Sequence, residues 1–294
     1  MIWLIHAIAI PSLIAETPKI ETVLIACGGE YVFLIEPTFG EKDREDWLWS
    51  WKAASSEEID PEAHAWFRST DDCKPYGDSI LITSSSGGVA LVDRVYLHCK
   101  FYTFAKNAHS ACLAPRNRVA VAASFGGDQL MLFQMGKEPR QDKPLAVLPL
   151  KGAHGVEWDS EQRRLWALGT DDLLLVEVRE EGATVELAIE SSWKLPTTGG
   201  HDLSPTADGK GFFVTSNTNV YRFEKATGTF SLVPKLANLA KVKSVDQHRE
   251  TGEIVYHQAE GKNWWSDTIR FKGINEVIRI PGERLYKVRW DLPR

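Results

Sequence analysis

The chain has 294 residues, 43% of them apolar and 25% charged, so it can bury a substantial core and does not have the composition of a disordered protein. The net charge is −6 at pH 7 and no segment concentrates lysine and arginine, which argues against nucleic acid as a partner. The four cysteines form no CxxC pair, which predicts small buried residues and no zinc finger.

The chain begins with an apolar segment at 2–15, followed by polar residues. This segment has the length of a signal-peptide core, is too short to span a bilayer and lacks a basic n-region. We expect residues 1–18 to be a signal peptide or an N-terminal extension, which predicts a periplasmic or secreted protein. The alternative is that the segment is a first element of the fold in a cytoplasmic protein.

Six pairs of β-branched and apolar runs follow, and turns rich in Gly, Ser, Asn or Asp separate the runs of each pair, as β-hairpins require. In chain order they are 23–26 with 31–35, 80–83 with 89–92, 119–122 with 129–133, 165–168 with 173–176, 212–214 with 220–223, and 253–256 with 268–271. A further apolar stretch after each hairpin predicts an outer strand, at 47–51, 101–104, 145–150, 185–189, 230–233 and 277–280.

A polar residue upstream of hairpins two to six recurs at a regular interval. Equivalent positions are predicted to be Asp72, His109, His154, His201, Lys243 and Lys287, with gaps of 37, 45, 47, 42 and 44 residues. This is the period of a four-stranded propeller blade. The first hairpin has no such segment, whereas the chain ends in an unpaired strand at 285–290. We predict an all-β fold over residues 19–294, a six-bladed β-propeller in which the C-terminal strand completes the first blade and leaves no free edge.

The innermost strands of a propeller border one axis, so equivalent residues from distant parts of the sequence converge there. Imidazoles on neighbouring strands can share a divalent ion, here Mn, Ca or Zn, or act as general acids and bases near neutral pH. The predicted catalytic residues are His109, His154, His201 and Lys243, and the three histidines are the predicted metal ligands. The alternative is that each histidine hydrogen-bonds the next blade and holds the ring closed.

Lysines around a histidine cluster suit a carboxylate or sulfate, which indicates an acidic sugar. The loop at 259–267 is longer than its counterparts and carries two tryptophans whose rings can stack on a sugar. The predicted substrate-binding residues are Asp72, Lys74, Asn107, Asp202, Lys287, Trp264 and Trp265. The alternative for the lysines is a set of salt bridges to the neighbouring aspartates.

The motifs Asn-Ala-His-Ser at 107–110 and Gly-Gly-His-Asp-Leu-Ser-Pro at 199–205, with the segments 70–75, 82–90 and 281–287, resemble those of an uncharacterised family of bacterial six-bladed propellers. The resemblance covers the chain from residue 23 onward and implies the fold but no activity. An axial histidine cluster is also similar, at the level of fold only, to that of the seven-bladed oligogalacturonate lyases. The six-bladed gluconolactonases offer a second comparison.

The leading functional hypothesis is a carbohydrate-active enzyme, a lyase or hydrolase acting on an acidic oligosaccharide in the axial funnel. A metal ion or a lysine would neutralise the substrate carboxylate. One alternative is a metal-dependent lactone or ester hydrolase of the gluconolactonase type, and another is a noncatalytic propeller that binds sugars or proteins. We expect a small-molecule or oligosaccharide ligand and no membrane span. The sequence contains no GxSxG, HExxH or dinucleotide-binding fingerprint.

Overall fold

The structure, a computed structural model, describes residues 23–292. The predicted signal segment at 1–18 lies outside these residues. Among these residues, the 3-10 helix Arg44–Asp46 lies within the first blade, and the 3-10 helices Ala53–Ser55 and Pro61–Phe67 connect the first blade to the second. In the part of the chain that is described, no helix has the length and apolar character needed to cross a bilayer.

Six antiparallel sheets surround one axis. From the axis outward, blade two consists of Thr70–Tyr76, Ser79–Ser84, Gly88–Asp93 and Cys99–Phe104. Blade three consists of Ala108–Ala114, Arg118–Ala123, Gln129–Gln134 and Ala146–Pro149. Blade four consists of Gly155–Asp159, Arg164–Leu168, Asp172–Glu181 and Thr184–Lys194. Blade five consists of Asp202–Pro205, Gly211–Thr215, Val220–Glu224 and Thr229–Leu232. Blade six consists of Val242–Gln247, Ile254–Gln258, Thr268–Phe271 and Val277–Arg279. Blade six gains a fifth strand, Gly40–Glu41, in parallel pairing.

The C-terminal strand closes the ring. Leu285–Trp290 pairs with Leu24–Gly28, and Tyr31–Ile35 and Trp49–Trp51 complete the first blade. Each innermost strand contacts the next one, and the innermost strand of blade six contacts Leu285–Trp290. The prediction of a six-bladed propeller closed by its last strand is therefore confirmed.

The sheets are packed face to face, which explains why their strands do not alternate between apolar and polar residues. Every residue of Leu24–Gly28 and of Arg118–Ala123 is buried, because neighbouring blades cover both faces. Small residues such as Ala120 and Ala122 lie in the packed layer where blades approach each other. The four cysteines are all buried and free, as predicted.

Candidate functional site

One residue of each blade lies next to the axis at a β-bulge of the innermost strand, or at the corresponding position in a blade without a bulge. In blades one, two, three and six the ladder skips one residue of the innermost strand. In blades four and five the same position directly precedes the strand, and the backbone N–H groups of His154 and His201 donate to Leu168 and Thr215. The residues at this position are named the bulge ring: Asp71, His109, His154, His201, Lys243 and Tyr286.

The predicted register was wrong by one residue in two blades. Asp72 and Lys287 were expected in the ring, but the extra residues there are Asp71 and Tyr286. A bulge sets two consecutive residues opposite one partner, and spacing in the sequence does not reveal which of the two is extra. For the three histidines and Lys243 the predicted register agrees with the structure.

The three histidines lie side by side. The ring centroids of His109 and His154 are 4.4 Å apart, and those of His154 and His201 are 5.3 Å apart. Nδ1–H of His109 donates to the carbonyl of Asn107 at 3.0 Å, and that of His154 to the carbonyl of Gly152 at 2.8 Å. Because a carbonyl only accepts, the lone pair of each ring is on Nε2.

Burial keeps these imidazoles neutral. It lowers the pKa of His154 to about 4 and the pKa values of His109 and His201 well below the usual range. The acceptor residues Asn107 and Gly152 have positive φ angles of 56° and 54°, a left-handed conformation that asparagine and glycine adopt most readily. The sequence therefore selects both the position and the tautomer of the two rings.

Lys243 is fully buried behind His201. Its Nζ lies 3.1 Å from His201 Nε2 and packs over the ring of Trp264, 4.6 Å from the centroid. Burial, reinforced by nearby lysines, lowers the pKa of Lys243 to about 7. His201 lines the axial cavity and Lys243 does not, so the imidazole connects the amine to the cavity. His201 Nε2 also lies 3.0 Å from Asn217 Oδ1, while Nδ1 has no partner among the described residues.

Asp71 contributes a carboxyl group to the cavity from blade two, which lies across the axis from His201 in blade five. Its Oδ2 accepts a hydrogen bond from the backbone N–H of Ser85. Burial raises the pKa of Asp71 to about 7, so the carboxyl group is protonated half of the time at neutral pH. Burial also raises the pKa of Tyr286 well above its usual value, so this hydroxyl remains a donor.

A network of buried ion pairs closes the cavity beneath the bulge ring. Arg289 Nε lies 2.8 Å from Asp72 and its Nη2 lies 2.8 Å from Asp202, which joins blades two and five across the axis. Lys287 Nζ lies 2.9 Å from Asp202, and 3.4 Å from Asp72. Burial would raise the pKa of Asp72, but Arg289 and Lys287 hold it well below its usual value. These four residues are named the floor.

Four predicted substrate-binding residues therefore do not line the cavity. Asp72, Asp202 and Lys287 belong to the floor, and Lys74 pairs with Glu157 at 2.8 Å beside it. Lys74 and Lys287 both form salt bridges, as in the alternative prediction, and do not form a cationic rim around the cavity. Residues one or three positions beyond the bulge project into the packed interior, where only paired charges are tolerated.

The axial cavity has a volume of about 700 Å³. We name it the funnel, and its lining includes Asp71, Asn107, Phe125, Asn217, Trp264, Trp265, Tyr286 and the three histidines. Two exposed arginines at its mouth, Arg68 and Arg284, were not predicted from the sequence. Neither makes an ion pair with another residue of 23–292, although Arg284 stacks over Trp265 at 5.4 Å. The cations that remain free to bind a ligand are thus arginines, and they lie in the loops that precede the innermost strands.

The sequence profile of a family of unknown function (DUF6528) matches residues 38–293. The chain belongs to this family. Among solved structures, it is similar to a Bacteroides uniformis protein described as a "putative 6-phosphogluconolactonase", with a TM-score of 0.57 and 12% identity over 91% of this chain and 82% of that one. At that identity the likeness shows a shared fold alone. No curated protein matches the chain.

The histidine cluster only partly suits a metal ion. His109 and His154 each present an Nε2 lone pair, but His201 Nε2 is engaged by Lys243 and Asn217. Within residues 23–292, no group of three or more His, Cys, Asp or Glu side chains has an arrangement that could hold a metal ion. The divalent ion stays a prediction, to be checked by elemental analysis of the purified protein.

Proposed function

We propose that the protein is a carbohydrate-active enzyme that binds an acidic sugar chain in the funnel and cleaves it by proton abstraction next to the carboxylate. The observation that carries the proposal is the hydrogen bond between Lys243 and His201 at the wall of a cationic funnel. The chain as a whole has a charge of −6, yet the mouth of the funnel holds two arginines without acidic partners among the described residues. A local positive field of this kind favours an anionic ligand.

The base in this scheme is the Lys243–His201 pair. An amine whose pKa is about 7 is half unprotonated at neutral pH, where a general base works best. In this scheme His201 takes the substrate proton on Nδ1, which is buried and has no partner among residues 23–292, and passes the Nε2 proton to Lys243. The imidazole never has to hold a positive charge, which its burial disfavours.

The acid is Asp71, on the opposite side of the funnel. As the C–H bond breaks, its electron pair forms the double bond to the adjacent carbon, and the glycosidic C–O bond on that carbon breaks. The leaving oxygen takes the proton of Asp71, so the reaction produces an unsaturated acidic sugar and a free hydroxyl group. Arg68 and Arg284 neutralise the carboxylate, which makes the neighbouring proton more acidic.

Lactone hydrolysis is the second candidate, because the Nε2 lone pairs of His109 and His154 could orient a water molecule for attack. The similar B. uniformis structure carries a lactonase description, but its likeness is one of fold.

The test offers uronate oligosaccharides, gluconolactone and neutral oligosaccharides to the full chain. The proposal predicts ultraviolet absorbance from a new double bond with the uronates alone. New reducing ends without that absorbance would indicate a hydrolase, acid release from gluconolactone would favour the lactonase, and binding without turnover would favour the noncatalytic alternative. Lys137→Met removes one exposed lysine and is the control for a general loss of positive charge in the variants of Lys243, Arg68 and Arg284.

We expect a bell-shaped dependence of kcat/KM on pH, with a maximum near pH 7. Lys243 must be unprotonated, so activity falls as pH drops below its pKa of about 7. Asp71 must be protonated, so activity falls as pH rises above its pKa of about 7. Each limb should approach a tenfold loss per pH unit. A profile that is flat between pH 5 and pH 9 would exclude both assignments.

Replacing Arg68 or Arg284 with glutamine should weaken the binding of anionic substrates. Loss of one charge-assisted hydrogen bond is expected to raise KM about 10-fold, with a smaller change in kcat. The KM of an uncharged analogue, such as the methyl ester of the same sugar, should not change. An equal effect on both substrates would mean that the arginines shape the funnel and do not recognise the carboxylate.

A further inference from the structure

Three lysines are buried in the part of the chain that is described, and they differ in their partners. Lys74 lies 2.8 Å from a carboxylate oxygen of Glu157, and Lys287 lies 2.9 Å from one of Asp202. Lys243 has no carboxylate within ion-pair distance among residues 23–292; its polar neighbour is the imidazole of His201 at 3.1 Å. A buried ammonium without a counter-charge is unfavourable, so this site favours the neutral amine.

We propose that Lys243 is a nucleophile that forms an imine with the aldehyde or ketone carbonyl of a small acidic compound bound in the funnel. This activity goes beyond the acid–base chemistry proposed above and does not depend on it. A neutral amine held in an apolar, desolvated setting next to an acid–base group is the arrangement that imine-forming lysines require.

The surroundings of Lys243 supply each condition. Its Nζ lies 4.6 Å from the ring centroid of Trp264 and 5.8 Å from that of Tyr286, so the walls are aromatic. About half of the amine is neutral at pH 7, given its pKa of about 7. An ordinary lysine with a pKa near 10.4 is neutral in only about one molecule in 2,500 at that pH. Lys243 should therefore react well before exposed lysines.

The imine step balances with groups at the site. The lone pair of Nζ attacks the carbonyl carbon, and one amine proton passes by way of His201 to the former carbonyl oxygen, which gives a neutral carbinolamine. The hydroxyl group then leaves as water with the proton of Asp71, and the nitrogen lone pair forms a protonated C=N bond whose charge is balanced by the Asp71 carboxylate. Addition of water reverses the step and returns the free amine.

Trp264 controls access to the amine. Lys243 is fully buried, whereas Trp264 packs over it and is itself 63% exposed, so the ring separates the amine from solvent. A carbonyl compound reaches Nζ only when this side chain moves away. Removal of the ring should therefore speed the reaction at Lys243.

The experiment treats the full-length protein with glyoxylate and cyanoborohydride at pH 7 and identifies modified lysines by peptide mass mapping. Glyoxylate supplies an aldehyde next to a carboxylate, and reduction of the imine leaves a stable carboxymethyl group. We expect Lys243 to be modified at least about 10-fold faster than Lys241 or Lys262, because about half of the Lys243 amine is neutral at pH 7. Modification of Lys243 no faster than these two would overturn the proposal.

Two comparisons sharpen the result. Trp264→Ala should increase the rate at Lys243 several-fold and leave the rates at other lysines unchanged. The ratio of the rate at Lys243 to the rate at exposed lysines should be lower for glycolaldehyde, which lacks a carboxylate, than for glyoxylate. Trapping is measured without turnover of any sugar chain, so failure here and failure on uronate oligosaccharides are separate outcomes. An unmodified Lys243 in both the parent and Trp264→Ala would exclude the nucleophile.

Discussion

Replacing Arg289 with methionine should lower the free energy of unfolding by about 3–5 kcal/mol, because it leaves two buried carboxylates without their shared cation. Arg289 binds Asp72 and Asp202 at 2.8 Å each, and both carboxylates are fully buried. Lys287 remains near both, and Lys74 lies 3.9 Å from Asp72, but Lys74 is already paired with Glu157 at 2.8 Å, so two ammonium groups would have to balance three carboxylates. The loss is measured by urea unfolding at pH 7, with circular dichroism to show that the variant still folds at low denaturant.

Arg164 offers a matched control. It also contacts two carboxylates, Glu177 and Glu190, but on the partly exposed surface of blade four. Exposed ion pairs contribute little, so Arg164→Met should change the free energy of unfolding by less than about 1 kcal/mol. Similar losses for the two variants would mean that the floor does not hold opposite blades together through buried charge.

The blade count could be predicted because each repeat carries its own signal. Two apolar runs and a turn recur at an interval of about forty residues, which is the length of a four-stranded blade. The closing strand was recognisable because the first hairpin lacked an inner partner and the segment at 285–290 lacked a hairpin. Pairing of Leu285–Trp290 with Leu24–Gly28 bears this out.

The depth of each side chain along the axis could not be predicted. Asp71 and Asp72 are adjacent, yet one lines the funnel and the other belongs to the floor. The difference arises from a bulge, which local sequence does not encode in a recognisable way. The same applies to Tyr286 and Lys287. Asp72 and Lys287 were therefore predicted to bind the ligand, whereas they form ion pairs between blades in the floor.

The mouth of the funnel was partly predictable. Asn107, Trp264 and Trp265 line it as proposed from the sequence, whereas Arg68 and Arg284 were missed. A signal was present, since Arg284 stands two residues before Tyr286, as Asn107 stands two residues before His109. Once the register is corrected, this upstream position identifies Arg284 as a residue of the same rim.

Lys243→Met should reduce turnover to a small residual rate and at the same time leave the protein as stable as the parent or more stable. Loss of a general base lowers kcat by about 10²–10⁴-fold. Stability should not fall, because methionine replaces a buried amine that has no carboxylate partner among the described residues, and it suits the aromatic wall formed by Trp264 and Tyr286. Turnover and urea unfolding are measured on the same preparation.

Lys287→Met is the matched control, because Lys287 is equally buried but is paired with Asp202. This variant should lose about 3–5 kcal/mol of stability, since its removal leaves a buried carboxylate underpaired. Substitution of these two buried lysines near the axis would then change the free energy of unfolding differently, with a loss only for Lys287→Met. A loss of stability in Lys243→Met as large as that in Lys287→Met, with activity retained, would make Lys243 a structural residue.

The variant His201→Ala decides whether the amine and the imidazole act as one unit. If the proton passes through His201 to Lys243, each single substitution removes nearly all turnover, and the double variant loses little more than either one. If His201 only holds the blades together, His201→Ala lowers stability by about 1–3 kcal/mol through partners left unsatisfied, and turnover persists. The pH profile of the residual turnover tests the assignment of Lys243 as the base. Loss of the acidic limb in Lys243→Met, with the alkaline limb retained, is expected only when that limb reports the deprotonation of Lys243, whose pKa is about 7.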